Sequence, residues 1–251
     1  MFEQIMNKRV LVTGASSGIG KVIATRFAEH GAHVGIHYRS DRQSANKLLG
    51  ELTKYHGHIE LFHGDLMLAE TRRHLIPSFL ESFGGIDILV NNAGACYEYK
   101  HFSELDEAAW DTMLALHTKA PFILARDAFK FMKRRNWGRI INISTVSIEY
   151  AGPNNMHYYS SKAAMDAITM GLAGEGAKHN ILVNSIRCGM IDTPMRTKIS
   201  GYDEEKFTKR VQMIPLKRAG TALEIAEMVL FLSSKSGSFI TGEIIKVAGG
   251  E

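Results

Sequence analysis

The sequence predicts an α/β protein with a doubly wound, mostly parallel sheet and helices on both faces, folded as a single domain over residues 1–251. Three observations carry the prediction. Apolar runs of strand length alternate with longer amphipathic stretches, a glycine-rich segment follows the first run, and no repeat, composition shift or low-complexity linker divides the chain. Parallel neighbours need crossover connections, so this alternation gives a sheet covered on both sides. Right-handed crossovers then put the ligand crevice at the carboxyl ends of the strands.

The elements follow in order from the same patterning. Residues 9–13 (RVLVT) form the first strand, 20–30 a helix closed by Gly31, and 33–38 the second strand. A helix over about 44–56 precedes a third strand at 59–63, and 86–91 (IDILVN) gives a fourth. Residues 139–144 (RIINIS) and 182–187 are further strands with helices between them, and 243–247 is a short last one.

Composition removes several functions. The 45% hydrophobic fraction can fill a substantial core, which excludes a disordered chain. Thirty basic against 26 acidic residues leave a net charge of +4, spread along the chain. A nucleic-acid binder concentrates its basic residues, so none is expected as a partner. The N-terminal residues 1–7 do not read as a signal peptide, and no run of ~18 apolar residues exists to span a membrane. Cys96 and Cys188 have no metal spacing and suit a reducing compartment; a cytoplasmic protein is expected. His56, His58 and His63 lack supporting carboxylates or cysteines, so no metal is expected.

The segment Gly14-Ala15-Ser16-Ser17-Gly18-Ile19-Gly20 follows the first strand and opens the first helix. Glycines let backbone N–H groups approach a pyrophosphate, and the helix N-terminus favours its negative charge. The spacing G-x-x-x-G-x-G differs from the commoner G-x-G-x-x-G. At the end of the second strand stands Tyr38 followed by Arg39, with no carboxylate to repel a 2′-phosphate. Arg39 can pair with such a phosphate, which favours NADP(H) over NAD(H). Tyr158 and Lys162 are four apart and share one face of a helix. A nearby ammonium stabilises a phenolate, which suits Tyr158 to exchange a proton with a carbonyl or alcohol oxygen.

Thr13-Gly14 with Gly18-Ile19-Gly20, Asn91-Asn92-Ala93-Gly94 at the end of the fourth strand, Tyr158-x-x-x-Lys162 and the segment Arg187 to Met195 fall in register. Together they closely resemble the short-chain dehydrogenase/reductase family, from about Lys8 to the C-terminus. The resemblance implies a Rossmann-like fold and an NAD(P)-dependent enzyme acting on CH–OH groups. It implies a cofactor site at Gly14, Ser16, Ser17, Gly18, Ile19, Gly20, Arg39, Asp65, Leu66, Asn91, Ala93, Gly94, Tyr158, Lys162, Gly189, Ile191 and Thr193. The family's serine thirteen residues before the tyrosine is replaced by Thr145, with Ser144 and Ser147 as alternates. Ser144, adjacent along the strand, should face the other way.

His117 stands where the family has an asparagine that helps hold a proton-relay water. Either its carbonyl preserves the relay or the residue is a packing histidine. Cys188 replaces a frequent proline and is either an exposed thiol in a loosened loop or a small buried residue. A substrate lid is expected at about 190–215, where Met190, Met195 and Met213 either line an adaptable pocket or pack against helices.

The nearest functional group in the resemblance is the 3-oxoacyl-thioester reductases of fatty-acid biosynthesis, acting on acyl carrier protein. Sugar, steroid and small-ketone dehydrogenases share the pattern. A reading from another class, motivated by Thr145, His117 and Cys188, is a dinucleotide-binding redox sensor or scaffold with little turnover. The family also implies a homotetramer, with interfaces around 110–133, 160–177 and the C-terminal strand. The basic run Lys130, Lys133, Arg134 and Arg135 either complements a helix C-terminus or docks an acidic acyl carrier protein.

Overall fold

The structure, a computed structural model, describes residues 3–96, 100–194 and 203–251. Seven strands form one sheet: β1 (Arg9–Val12), β2 (His33–Tyr38), β3 (Ile59–His63), β4 (Ile88–Asn91), β5 (Gly138–Thr145), β6 (Ile181–Cys188) and β7 (Ile244–Val247). Their order is β3-β2-β1-β4-β5-β6-β7, and every adjacent pair is parallel. Strands sandwiched between helix layers must be apolar on both faces, which is why β5 is buried at all eight positions. The edge strand β7 is only half-buried.

The covering helices are α1 (Gly18–Glu29), α2 (Arg42–Leu52), α3 (Ala69–Phe83), α4 (Glu107–Leu114), α5 (Ala120–Arg135), α6 (Met156–Gly176), α7 (Glu204–Met213) and α8 (Ala222–Ser233). On one face, Ile23 and Phe27 of α1, Leu48 of α2 and Val229 of α8 close one core against Val10, Val12 and Ile36. On the other, Ile76 and Phe79 of α3 and Leu124 and Met132 of α5 close a second against Leu11, Leu89 and Ile140. The chain winds outward from β1 to β3 and then crosses to β4 on the other side of β1. Strand order reverses there, which opens a crevice at the carboxyl ends of β1 and β4.

Element ends differ from the patterning for local reasons. The fourth strand begins at Ile88, not at 86, because Asp87 is turned to the Arg9 side chain, accepting from its Nε at 2.7 Å and its Nη2 at 2.8 Å. The second helix begins at Arg42, where Asp41 caps it by accepting the Ser44 N–H at 2.9 Å. Between α4 and α5 the helix does not stop. Residues Ala115–Lys119 form one wide π-helical turn, and His117 sits in it. Among the described residues, no helix is long and apolar enough to cross a membrane.

Candidate active site

The glycine loop leaves β1 through Thr13, whose Oγ1 accepts from the Asn92 and Ala93 N–H groups, each at 3.0 Å. Asn92 Nδ2 donates in return to the carbonyls of Thr13 at 2.8 Å and Gly14 at 3.1 Å. The loop is thus knitted to the segment after β4. Gly14 has φ +64°, and a Cβ there would stand 2.8 Å from Ala93 Cα, so only glycine fits. The Ser17 side chain makes no capping bond at the start of α1. The first turn of that helix lines the crevice at Gly18 and Ile19, where a helix N-terminus favours an anion.

This crevice is a cavity of about 380 Å³. Of the sequence-predicted residues, Gly14, Ser16, Ser17, Gly18 and Ile19 line it, as do Arg39, Asp65 and Leu66. Ala93 and Gly94 join them, and so do Thr145, Tyr158, Lys162, Gly189, Ile191 and Thr193. Asp65 also accepts the Met67 N–H at 2.9 Å, which fixes the turn after β3.

Several expectations are corrected. Asn91 does not line the cavity. It is buried and donates from Nδ2 to Asn142 Oδ1 at 2.8 Å, and Asn142 donates in turn from its own Nδ2 to Thr169 Oγ1 at 2.8 Å. Its neighbour Asn92 lines the cavity instead, as period-two alternation could have indicated. Gly20 does not line it either. A Cβ there would stand 2.4 Å from both Asn92 Nδ2 and the Gly14 carbonyl, so this glycine makes room for the loop's own bonds. Tyr38 is buried with its ring 5.2 Å from that of His63, whereas His37 and Arg39 on the opposite side of β2 line the cavity. Ser144 and Thr145 both line it, but the Ser144 Oγ itself is buried.

Tyr158, Lys162 and Thr145 meet at the junction of α6, β5 and β6. Lys162 is buried, and its Nζ donates to the Ile143 carbonyl at 2.7 Å. Burial pulls its ammonium down to about 8, with Asp166 acting in the opposite sense. The Thr145 hydroxyl donates to Ser147 Oγ at 3.0 Å and accepts the Ser147 N–H at 3.1 Å. Among the described residues no hydrogen-bond partner stands beside the buried Ser144 Oγ, in a residue that lines the cavity. A glycine-closed cradle, uncapped helix amides and an orphaned hydroxyl together fit a dinucleotide.

His117 does not line the cavity. Its Nε2 accepts the Ala95 N–H at 3.1 Å, so its Nδ1 carries the proton and donates to Ser161 Oγ at 3.0 Å. Ser161 in turn donates to the Tyr158 carbonyl at 2.7 Å. Burial, and then the Lys162 charge, hold this imidazole well below its ordinary pKa. Cys188 is not an exposed thiol: it is buried, and burial pushes it up to about 12. Met195 and residues 195–202 of the expected lid lie outside the described residues; 204–213 of it form α7. The basic end of α5 is far from the cleft. Arg135 Nε lies 4.0 Å from Asp87 Oδ1, at the amino ends of the strands, whereas the cavity opens at their carboxyl ends. Among the described residues no group of three or more potential ligands could hold a metal ion.

A doubly wound sheet whose switch-point crevice joins a glycine phosphate loop to a Tyr/Lys pair defines a dinucleotide-dependent oxidoreductase. Residues 14–251 match the family model described as enoyl-(acyl carrier protein) reductase, and the chain belongs to the short-chain dehydrogenase/reductase family. It is 36% identical to nodulation protein G of Rhizobium sp. (strain N33), over 100% of this chain and 98% of the relative. It is 35% identical to the 3-oxoacyl-(acyl-carrier-protein) reductase FabG of Aquifex aeolicus (strain VF5), over 98% of each. The solved L-sorbose reductase of Gluconobacter frateurii, complexed with NADPH and L-sorbose, superposes with a TM-score of 0.91 at 31% identity, over 100% of this chain and 98% of that one.

Proposed function

We propose that this chain is an NADP(H)-dependent reductase of 3-oxoacyl thioesters, interconverting a ketone and a secondary alcohol. The observation that carries the reading is the convergence of Tyr158, Lys162 and Thr145 on the cavity that begins at the glycine loop. A bound nicotinamide dinucleotide supplies the hydride. The chain's own groups do the rest. The Tyr158 hydroxyl gives a proton to the carbonyl oxygen, and the Thr145 hydroxyl, turning its proton from Ser147 Oγ to the substrate, donates a hydrogen bond that orients that oxygen. The Lys162 ammonium, desolvated and anchored on the Ile143 carbonyl, stabilises the tyrosinate left behind.

Arg39 on the cavity wall, where a carboxylate would disfavour a 2′-phosphate, supports NADP(H). The relationship to the 3-oxoacyl reductase of Aquifex aeolicus supports the thioester. The likeness to L-sorbose reductase favours a second reading, a polyol or small-ketone dehydrogenase. The thioester reading implies a cytoplasmic enzyme and an acyl carrier protein as partner. Exposed Trp110 and Phe122 on α4 and α5 support a homo-oligomer, and a carrier docked on the basic end of α5 would serve the cleft of a neighbouring subunit.

The test follows the absorbance of NADPH and NADH with acetoacetyl thioester, L-sorbose and acetoin. Oxidation of NADPH fastest with the thioester is expected. Fastest turnover of the sugar would favour the second reading, and tight dinucleotide binding without oxidation by any carbonyl would favour the sensor.

A further inference from the structure

The penultimate residue of β2 is a histidine that its packing does not require. His37 is 2% exposed in a strand of Val34, Gly35 and Ile36, and it lines the cofactor cavity without belonging to any motif. Its imidazole bridges two loops. Nδ1 accepts the Gly14 N–H at 3.2 Å, and Nε2 donates to the Gly64 carbonyl at 3.0 Å. The backbone doubles both links: the His37 carbonyl accepts the Ala15 N–H at 2.8 Å, and the Tyr38 carbonyl accepts the Gly64 N–H at 3.1 Å.

The partners fix a single tautomer, Nδ1 bare and Nε2 protonated, which only a neutral ring can supply. Burial holds the ring neutral, down to about 4, with His63 adding to the effect and Asp65 opposing it. The Gly14 amide is thereby directed at the protein, leaving a phosphate to the amides from Ser17 onward. Gly64 opens the turn that carries Asp65 and Leu66 to the cavity. The imidazole, together with the backbone bonds beside it, therefore sets the separation between the phosphate loop and the segment at Gly64.

We propose that His37 is a positioning residue for the dinucleotide: by tying Gly14 to Gly64 it fixes the width of the cofactor cleft and so sets affinity for NADP(H) and NAD(H) alike. It acts through the two loops and not at the reacting carbonyl, which is served from β5 and α6. The inference rests on the reductase reading above.

The test compares His37→Phe, which keeps ring bulk and loses both polar links, with His37→Asn, which keeps an acceptor near Nδ1. Dissociation constants for NADPH and NADH are measured by cofactor fluorescence, with kcat and KM taken beside thermal unfolding. His37→Phe should weaken both dinucleotides by similar factors of at least about tenfold, the scale of two lost hydrogen bonds. The loss should appear in the cofactor KM, with kcat at saturation changed by less than about twofold, and His37→Asn should recover part of the affinity. A folded His37→Phe protein with wild-type affinity, or one losing kcat as much as affinity, overturns the inference. If His37→Phe does not fold, wild-type affinity in His37→Asn, which has lost the Gly64 link, overturns it equally. A wild-type chain that binds neither dinucleotide overturns the functional reading itself, a different result from an indifferent variant of a binding enzyme.

Discussion

His117 Nδ1 lies 3.0 Å from Ser161 Oγ, and this bond joins the wide helical turn after α4 to the helix that presents Tyr158. With Ala95 on the other ring nitrogen, the imidazole clamps the segment after β4 to the helix that carries Tyr158. A Cβ on Gly94 would stand 3.2 Å from His117 Nε2 and 3.6 Å from Lys162 Nζ, so the clamp sits directly behind the lysine.

Two buried neutral imidazoles, His117 and His37, give the fold an acid limit. Both are held below the unfolded value near 6.5. As pH drops through about 6.5 the unfolded chain takes up protons that the folded chain refuses, so stability falls with pH. For His37, neutral down to about 4, the loss over that window reaches about 3 kcal/mol. Urea midpoints between about pH 7 and 5 should decline in the wild type and decline less in His117→Asn. A flat wild-type profile would contradict the assigned protonation states.

Tyr158→Phe removes the hydroxyl and keeps the ring. Turnover should fall at least ~10²-fold, the scale of a positioned acid, while dinucleotide affinity is retained. Near-normal steady-state rates in this variant would show that another group donates the proton.

Arg39→Ala should weaken NADP(H) by about 10- to 100-fold, the worth of a charge-assisted hydrogen bond, and leave NAD(H) nearly unchanged. The ratio of the two kcat/KM values reads it directly. Here Arg39 differs from His37, whose loss should move both cofactors together. An unaltered ratio would place 2′-phosphate recognition elsewhere on the cavity wall.

Reversing Lys133 and Arg134 to Glu tests the basic end of α5. Activity on a carrier-bound thioester should drop, increasingly so at low salt, while a small free thioester is spared. Equal effects on both substrates would leave these residues only the task of complementing the helix C-terminus, worth ~0.3–1 kcal/mol.

The strands, and the placing of Tyr158 and Lys162 together on the cavity, were legible because the signals for each are local. An apolar run buried on both faces, or a Tyr and Lys one turn apart, needs no distant partner to be recognised. What escaped depends on which way a side chain turns at the end of an element. Asn91 and Asn92 are both polar residues after an apolar strand, and only the strand's alternation assigns one to the cavity and the other to Asn142. His37 was invisible for a stronger reason: its partners are the backbone N–H of Gly14 and carbonyl of Gly64, and no side-chain pattern encodes them. The wide turn at residues 115–119 escaped because one additional residue in an amphipathic helix still leaves apolar positions on roughly one side.

That extra residue sets an angular phase. Trp110 and Phe122, both exposed, are twelve positions apart. In an unbroken α-helix, at about 100° per residue, they would point ~120° away from each other. With one residue absorbed by the wide turn the offset falls to ~20°, and the two rings come out along one side of the rod. Deleting a single residue there would repair the regular hydrogen-bond ladder and at the same time swing one ring about 100° out of alignment with the other. The irregular turn thus works as a gear tooth. It keeps His117 aimed inward at Ala95 and Ser161 while delivering two aromatic rings, three helical turns apart, to one outward-facing stripe.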